Sequence, residues 1–426
     1  MRLCLALLLC CASLSMAGDW PQWLGPNRDG TSPEKIAPWK DDLKIEWRKD
    51  VGEGHSSPIV SDGLVFLHTK VAGKEEELLQ AFDTKTGNKK WEQAYEKPAF
   101  TTPFGNGPRG TPCVHDGKIY TFGITGTLSC FECAAGKPVW SAKVLEDAKK
   151  HNLFFGVSAS PLVVGDNVIV QGGGSGSRGI KAYDLKTGTL AWTAGEDPAS
   201  YAAPVLLDKN IVVLTGAHLA SISPKGEMRW KHPFKDGLNE SSTTPIMAGD
   251  LFLAGSVTAG SVAVKETTKD GKIEISQVWK KPALSCYFST PVAVSKEHYY
   301  IVTGSIPLPA ATLRCVEIAT GKEVWKKPNV GKYHAALLKL ADGNLLMHDD
   351  STGNLTLLAP NVKEYQELAK SKAGGSTWAH PARPRITTRR RSRAIHRLHL
   401  DGSHARICAS TGALHEEVDQ GVRGSE

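Results

Sequence analysis

The stretch FDTKTGNKKWE (82–92) returns as AYDLKTGTLAW (182–192) and as CVEIATGKEVW (315–325). A unit that recurs in this way cannot bury its apolar faces alone and must stack on its neighbours, so the repeat constrains the fold more than any single motif. Two anchors define it. The first is a pair of small residues and a proline opening an apolar run: SSPIV (56–60), GTPCV (110–114), ASPLV (159–163), AAPVL (202–206), TTPIM (243–247) and STPVA (289–293), then AALLK (335–339) and AHPA (379–382). The second is a tryptophan after a glycine turn, at Trp47, Trp91, Trp140, Trp192, Trp230, Trp279 and Trp325, with Tyr365 in the corresponding place of the next unit. Successive openings lie 41 residues apart at the shortest, Pro204 to Pro245, and 54 at the longest, Pro58 to Pro112. A four-stranded propeller blade takes roughly 40–45.

Each unit reads in one order. A short apolar strand follows the proline, then a turn such as Asp62-Gly63 or Asp116-Gly117, then a β-rich run such as LVFLHT (64–69) or KIYTFG (118–123). After a loop of variable length, a third run ends in Asp-x-x-Thr-Gly and a fourth strand carries the tryptophan. Period-2 alternation is weak, as in sheets covered on both faces. Helical periodicity is confined to short stretches, VLEDAKKH (144–151) and KEYQELAKS (363–371). Within FDTKTGNKKWE, Asp83 can accept backbone N–H groups of the turn and Gly87 supplies a positive φ. Trp91 can then lay its ring on the adjacent blade and bury roughly 150–250 Å². The fold expected is all-β, an eight-bladed propeller of four-stranded antiparallel blades. LKIEWRKDV (43–51) carries a fourth-strand tryptophan with no strands before it, and AHPA opens a unit with no fourth strand. The ring closes if the N-terminal strand completes the last blade, which removes exposed sheet edges.

The ends of the chain depart from this grammar. MRLCLALLLCCASLSMAG combines Arg2, an apolar run too short to span a bilayer, and an A-x-A-like site at Ser15-Met16-Ala17, the pattern of a secretory signal over residues 1–17. Residues 18–42 form an N-terminal extension, 43–382 the propeller, and 383–426 an atypical tail. The tail holds nine arginines and no lysine, whereas residues 1–382 hold seven arginines and 35 lysines. A basic arm for nucleic acid, an unrelated extension and a reading-frame change compete as explanations; a switch of composition inside a unit that has only begun favours the last, and an incomplete closing blade is expected. With nine arginines against five acids, the tail supplies +4 of the net +7. The basic balance is therefore no argument for a nucleic-acid partner.

With its S/T-P opening, Asp-Gly turn and Asp-x-x-Thr-Gly-x-x-x-Trp closing strand, the chain resembles the PQQ-like β-propeller repeat family, including its BamB-like periplasmic members. DWPQWLGPNRDG (19–30) and FGNGPRGTP (104–112) are similar to stretches of exported bacterial members. The resemblance covers about residues 19–382 and implies two classes of function. One is a quinoprotein dehydrogenase of alcohols or sugars, holding pyrroloquinoline quinone and calcium on the axis, with a catalytic aspartate and usually an adjacent cysteine pair. Here the adjacent pair, Cys10-Cys11, lies in the leader. The other is a non-catalytic propeller that presents loops to partner proteins, as in outer-membrane protein assembly. The second is expected: an exported scaffold of the periplasm or extracellular space, monomeric, with envelope or secreted proteins as partners, no nucleic acid, no membrane insertion and no cofactor.

In such folds the blade openings line the central funnel, so the residue three before each proline should recur around its mouth. Those residues are His55, Arg109, Ser158, Tyr201, Ser242, Phe288, Tyr333 and Trp378, with Ala336 standing in for the seventh proline. His55, Arg109, Tyr201, Phe288, Tyr333 and Trp378 make the candidate binding ring. Aromatics with one arginine and one histidine suit an anionic or planar ligand or a partner loop; alternatively they merely plug the channel. The next two positions of each unit are nearly all Gly, Ala, Ser or Thr, as crowding near an axis demands. Other motifs carry less. Cys130 and Cys133 fall in a strand, with no second pair for a zinc site. GGGSGSRG (172–179) lacks the Gly-Lys-Ser/Thr of a phosphate loop, and HDDSTGN (348–354) reads as blade-turn chemistry.

Overall fold

The computed structural model describes residues 19–145, 147, 152–172, 179–304, 309–382 and 406–411, the last six and Lys44 through their backbone alone. Every regular element among them is a strand. Seven four-stranded antiparallel sheets follow one another in strict sequence order, with no crossover. We number them blades 1 to 7: residues 59–96, 113–143, 162–194, 205–233, 246–281, 292–331 and 335–372. An eighth sheet has two described strands, Lys44–Asp50 and Arg406–Thr411, paired antiparallel with Trp47 opposite Ala409. The N-terminal strand thus takes part in closure, and its partner comes from within the arginine-rich tail.

One contact explains the repeat. The indole N–H of Trp47 donates to the Thr84 carbonyl oxygen in blade 1 at 3.1 Å. Trp91 reaches Cys133 in blade 2 at 3.0 Å, Trp140 reaches Leu185 in blade 3 at 2.9 Å and Trp279 reaches Ile318 in blade 6 at 2.8 Å. Trp47, Trp140 and Trp279 also pack on the Thr-Gly glycines Gly87, Gly188 and Gly321 of the following blade, and Trp91 and Trp192 pack on the turn glycines Gly136 and Gly226. At Gly87, φ is +66° and a Cβ would stand 2.6 Å from the Trp47 ring. The turn is held from below by Asp83, whose Oδ1 accepts the Lys85 and Thr86 N–H groups at 3.0 and 2.9 Å. The glycine therefore meets two demands at once, a left-handed backbone and room for a neighbour's ring. Gly87→Ala should cost at least about 1–2 kcal/mol from the backbone alone, with the displaced indole adding to it. An unchanged urea midpoint would contradict this packing.

Two local expectations are corrected. KEYQELAKS forms no helix: Glu367–Lys372 is the outer strand of blade 7, because its alternate side chains Ala369 and Ser371 turn inward against the sheet. Tyr365 is not the tryptophan equivalent either. In the ladders Trp91 faces Ala81, Trp192 faces Ala182 and Trp325 faces Cys315, and the same register position in blade 7 puts Ala369 opposite Leu357. Tyr365 packs edge-on against Trp325 of blade 6 at 6.3 Å. The DDSTG turn of blade 7 (349–353) follows the rule, with Asp349 accepting the Ser351 and Thr352 N–H groups at 2.7 and 2.8 Å. The 144–151 stretch and the middle of GGGSGSRG lie largely outside the described residues.

Residues 19–39 do more than extend the chain. They lie against the inner edges of the blades: Trp20 pairs with Val60 of blade 1, the Pro21 carbonyl accepts the Val114 N–H of blade 2, and Ser32 N–H donates to Lys339 of blade 7. Arg28, 2% exposed, donates from Nε to Pro204 at 2.7 Å and from its two terminal nitrogens to Pro161 at 2.9 Å and Ser160 at 2.6 Å. All three acceptors are carbonyl oxygens at the openings of blades 3 and 4. Trp23 donates its indole N–H to Thr244 at the opening of blade 5, at 2.8 Å. The segment therefore crosses the convergence of the blades and closes it from one side. Trp39, Leu43 and Trp47 then fill the junction between blade 7 (Leu338, Leu346, Leu357) and blade 1 (Val60, Val65, Leu67).

Candidate functional site

All eight residues three before the blade openings line one cavity of about 190 Å³. Because each belongs to a different repeat, the cavity lies where the repeats converge, with the N-terminal Trp23 among its lining residues. It is a blind funnel. The aromatic members form a nearly continuous band: Tyr287 stacks on Phe288 at 3.8 Å, Phe288 meets Trp378 at 5.5 Å, and Trp378 stacks on His55 at 5.2 Å. Phe104 touches Trp378 at 5.5 Å and Phe155 at 6.0 Å, and Phe155 reaches Tyr201 at 5.7 Å.

Sequence reasoning did not single out Trp23, Phe104, Phe155, Glu240, Tyr287 or His380, which also line the funnel. A signal existed for two of them. The longest intervals between openings, before Pro112 and Pro161, carry the loops that bring Phe104 and Phe155 over the mouth. A second signal lay in the small-residue rule, which His334 and His380 break. Their imidazoles stand where other blades place Gly, Ala, Ser or Thr.

The electrostatics are restrained. Arg109 donates from Nε to the Phe155 carbonyl at 2.8 Å and from Nη2 to Gly105 at 3.1 Å, so its guanidinium ties the two overhanging loops together. Burial lowers its pKa to about 10. His55 donates from Nε2 to the Phe104 carbonyl at 2.7 Å; burial and the nearby Arg109 charge lower it to about 4. Glu240 is the one carboxylate among the lining residues, and burial raises it despite a hydrogen bond with Tyr287. Below the mouth, His334 and His380 are 2% and 3% exposed, and both ring nitrogens of each lack a hydrogen-bond partner. Burial holds both near 3, so both are neutral imidazoles at mildly acidic pH and above.

Calcium takes six to eight oxygen ligands, carboxylates prominent among them. With Glu240 as the one carboxylate lining the funnel, and no cluster of three His, Cys, Asp or Glu fit for a metal among the described residues, the donor set does not fit a calcium–quinone pair. The five cysteines with described side chains are buried free thiols, and none forms an adjacent pair.

The fold and the funnel define a β-propeller built from PQQ-like repeats, its axis open at one end and lined by the blade openings. The chain belongs to the family described as outer membrane protein assembly factor BamB, whose pattern matches residues 30–103 and 96–327. Outer membrane protein assembly factor BamB of Yersinia pestis is 25% identical over 60% of this chain and 61% of its own length. Quinohemoprotein alcohol dehydrogenase ADH IIB of Pseudomonas putida is 28% identical over 37% of this chain and 23% of its own. The chain thus spans less than two thirds of the curated relatives it matches. Among solved structures, a quinohemoprotein alcohol dehydrogenase from Comamonas testosteroni superposes over 96% of this chain and 83% of its own with a TM-score of 0.67 at 14% identity. BamB from Moraxella catarrhalis does so over 87% and 99% with a TM-score of 0.56 at 14% identity. At such identities the superpositions speak for the fold alone.

Proposed function

We propose that this protein is an exported, non-catalytic propeller that recognises its target in the axial funnel, in the service of envelope or secreted partners. The observation that carries the reading is the lining itself: eight blade-opening residues around one blind cavity, aromatic on most sides, with a single carboxylate and an arginine already engaged by backbone carbonyls. Aromatic walls supply contact area at low entropic cost, whereas acid–base chemistry calls for a titratable group poised near the working pH. His55, held near 4 and bonded to the Phe104 carbonyl, is poorly suited to that task. Export is supported by the leader pattern, and among the described residues no helix is long and apolar enough to cross a membrane.

A second reading, a dehydrogenase dependent on pyrroloquinoline quinone and calcium, is favoured by the Pseudomonas putida relative, an alcohol dehydrogenase. One assay separates the two. Purified protein given the quinone, calcium, an artificial electron acceptor and ethanol, 1-butanol or glucose should leave the acceptor coloured. Bleaching at a rate proportional to protein, and lost on Trp378→Ala, would overturn the non-catalytic reading.

A further inference from the structure

The funnel offers a guest three things in vertical order. At the rim, Phe104 and Phe154 are exposed at 60% and 67% on adjacent loops. Below them runs the aromatic band of Tyr287, Phe288 and Trp378. At the base, His380 lines the cavity and meets Trp23 edge-on at 4.6 Å, with both of its ring nitrogens unpartnered. His334 sits behind Phe288, whose ring it meets at 5.6 Å, and is equally unsatisfied. A buried polar group left without a partner costs roughly 1–3 kcal/mol, and native proteins leave few such groups without water, an ion or a ligand to meet them. The two His380 nitrogens, on a residue that lines the funnel, therefore call for a guest.

The chemistry of that guest follows from what surrounds it. A neutral imidazole is donor at one nitrogen and acceptor at the other, which a hydroxyl group matches and a carboxylate or ammonium does not. Glu240, with Oε2 unpartnered, offers a further acceptor on the wall. Flat rings above neutral hydrogen-bonding groups suit a molecule with an apolar face and a hydroxylated edge. A partner's aromatic side chain would fill the band yet leave the imidazole nitrogens of His380 unmet. Because Trp23 and Arg28 close the far end, a polymer cannot thread the channel and must present a terminus.

We propose that the funnel binds the terminal pyranose of a neutral glycan, its apolar ring face on Trp378 and Phe288 and its hydroxyls on His380 and Glu240. This rests on the reading of the funnel as the recognition site, and the experiment separates the two. Methyl glycosides of glucose, galactose, mannose and N-acetylglucosamine, with maltotriose and chitotriose, are titrated into the full mature protein by calorimetry and tryptophan fluorescence. The dye 8-anilinonaphthalene-1-sulfonate serves as a general probe of the funnel. At least one sugar should bind one-to-one, displace the dye, and bind at least tenfold more weakly to Trp378→Ala and to His380→Ala. Should His380→Ala fail to fold, long-range proton–nitrogen NMR on the wild type keeps the test: the sugar should shift the His380 ring nitrogens. Dye bound in a Trp378-dependent way that no sugar displaces would overturn the glycan and leave the funnel as a site for an apolar peptide. Neither dye nor sugar bound would overturn both readings.

Discussion

Glu77→Ala is expected to lower the unfolding free energy by about 3 kcal/mol or more, because hydrogen bonds to a charged group contribute about 1.5–3 kcal/mol each and the buried donors left unmet add to the loss. Glu77 and His68 are each fully buried between blades 1 and 2. One Glu77 oxygen lies 3.3 Å from His68 Nε2 and accepts the Tyr95 hydroxyl at 2.7 Å; the other accepts the Ile124 N–H of blade 2 at 2.8 Å. Burial by itself would raise the Glu77 pKa, but His68 and the hydrogen bonds from His68, Ile124 and Tyr95 more than offset it, and the carboxyl is held below its usual range. A depressed carboxylate contributes stability above its unfolded pKa, about 4.3, and loses that contribution as the pH falls through the folded value. The gap between wild type and Glu77→Ala should therefore be wide at pH 7 and narrow below about pH 4. Urea unfolding at both pH values checks it, and a gap that is small or constant with pH would show that the network is incidental to holding the two blades together.

That network was invisible in the sequence, where His68 and Glu77 sit in ordinary β-rich runs. The difference between what could and could not be read is physical. The blade is a local object: its turns, proline and tryptophan lie within one repeat, and the same packing problem recurs at every interface, so repetition exposes it. Trp91 on Gly136 and Trp140 on Gly188 are one solution used twice. Pairings that occur once leave no such trace. One Glu77 oxygen meets the Ile124 N–H across a blade boundary, 47 positions away, and no spacing rule predicts that. The funnel ring lies between these cases. The eight mouth positions were legible because they too repeat, whereas Phe104, Phe155 and Trp23 come from loops and the N-terminal segment, which do not. Tyr365 shows the opposite error, a residue of the right type at nearly the right spacing. The register of the blade 7 ladder assigns that place to Ala369.

Arg28→Leu should prove comparably severe, and its effect should reach the funnel as well as the stability. Its guanidinium is wholly buried and carries its charge with carbonyl oxygens as partners, the burial lowering it to about 10. Hydrogen bonds to a charged group contribute about 1.5–3 kcal/mol each, and acceptors stripped of their donor keep their desolvation penalty. Leucine fills part of the volume yet leaves Ser160, Pro161 and Pro204 facing an apolar side chain. The N-terminal segment should detach, because Arg28 is its one side chain that engages the openings of blades 3 and 4 together, while Gln22 adds a hydrogen bond to the same guanidinium at 3.2 Å. Arg28→Lys is the sharper control: an ammonium keeps the charge and loses the planar fork, so it should recover only part of the stability. Limited proteolysis should cut the leucine variant within residues 19–42 and spare the wild type. The same variant should lose the funnel's dye binding, since Trp23 is delivered to the cavity by the segment that Arg28 anchors. A protected segment with intact dye binding in Arg28→Leu would mean that the Trp20 and Ser32 pairings hold the plug by themselves, and that the buried charge serves the ring and not its closure.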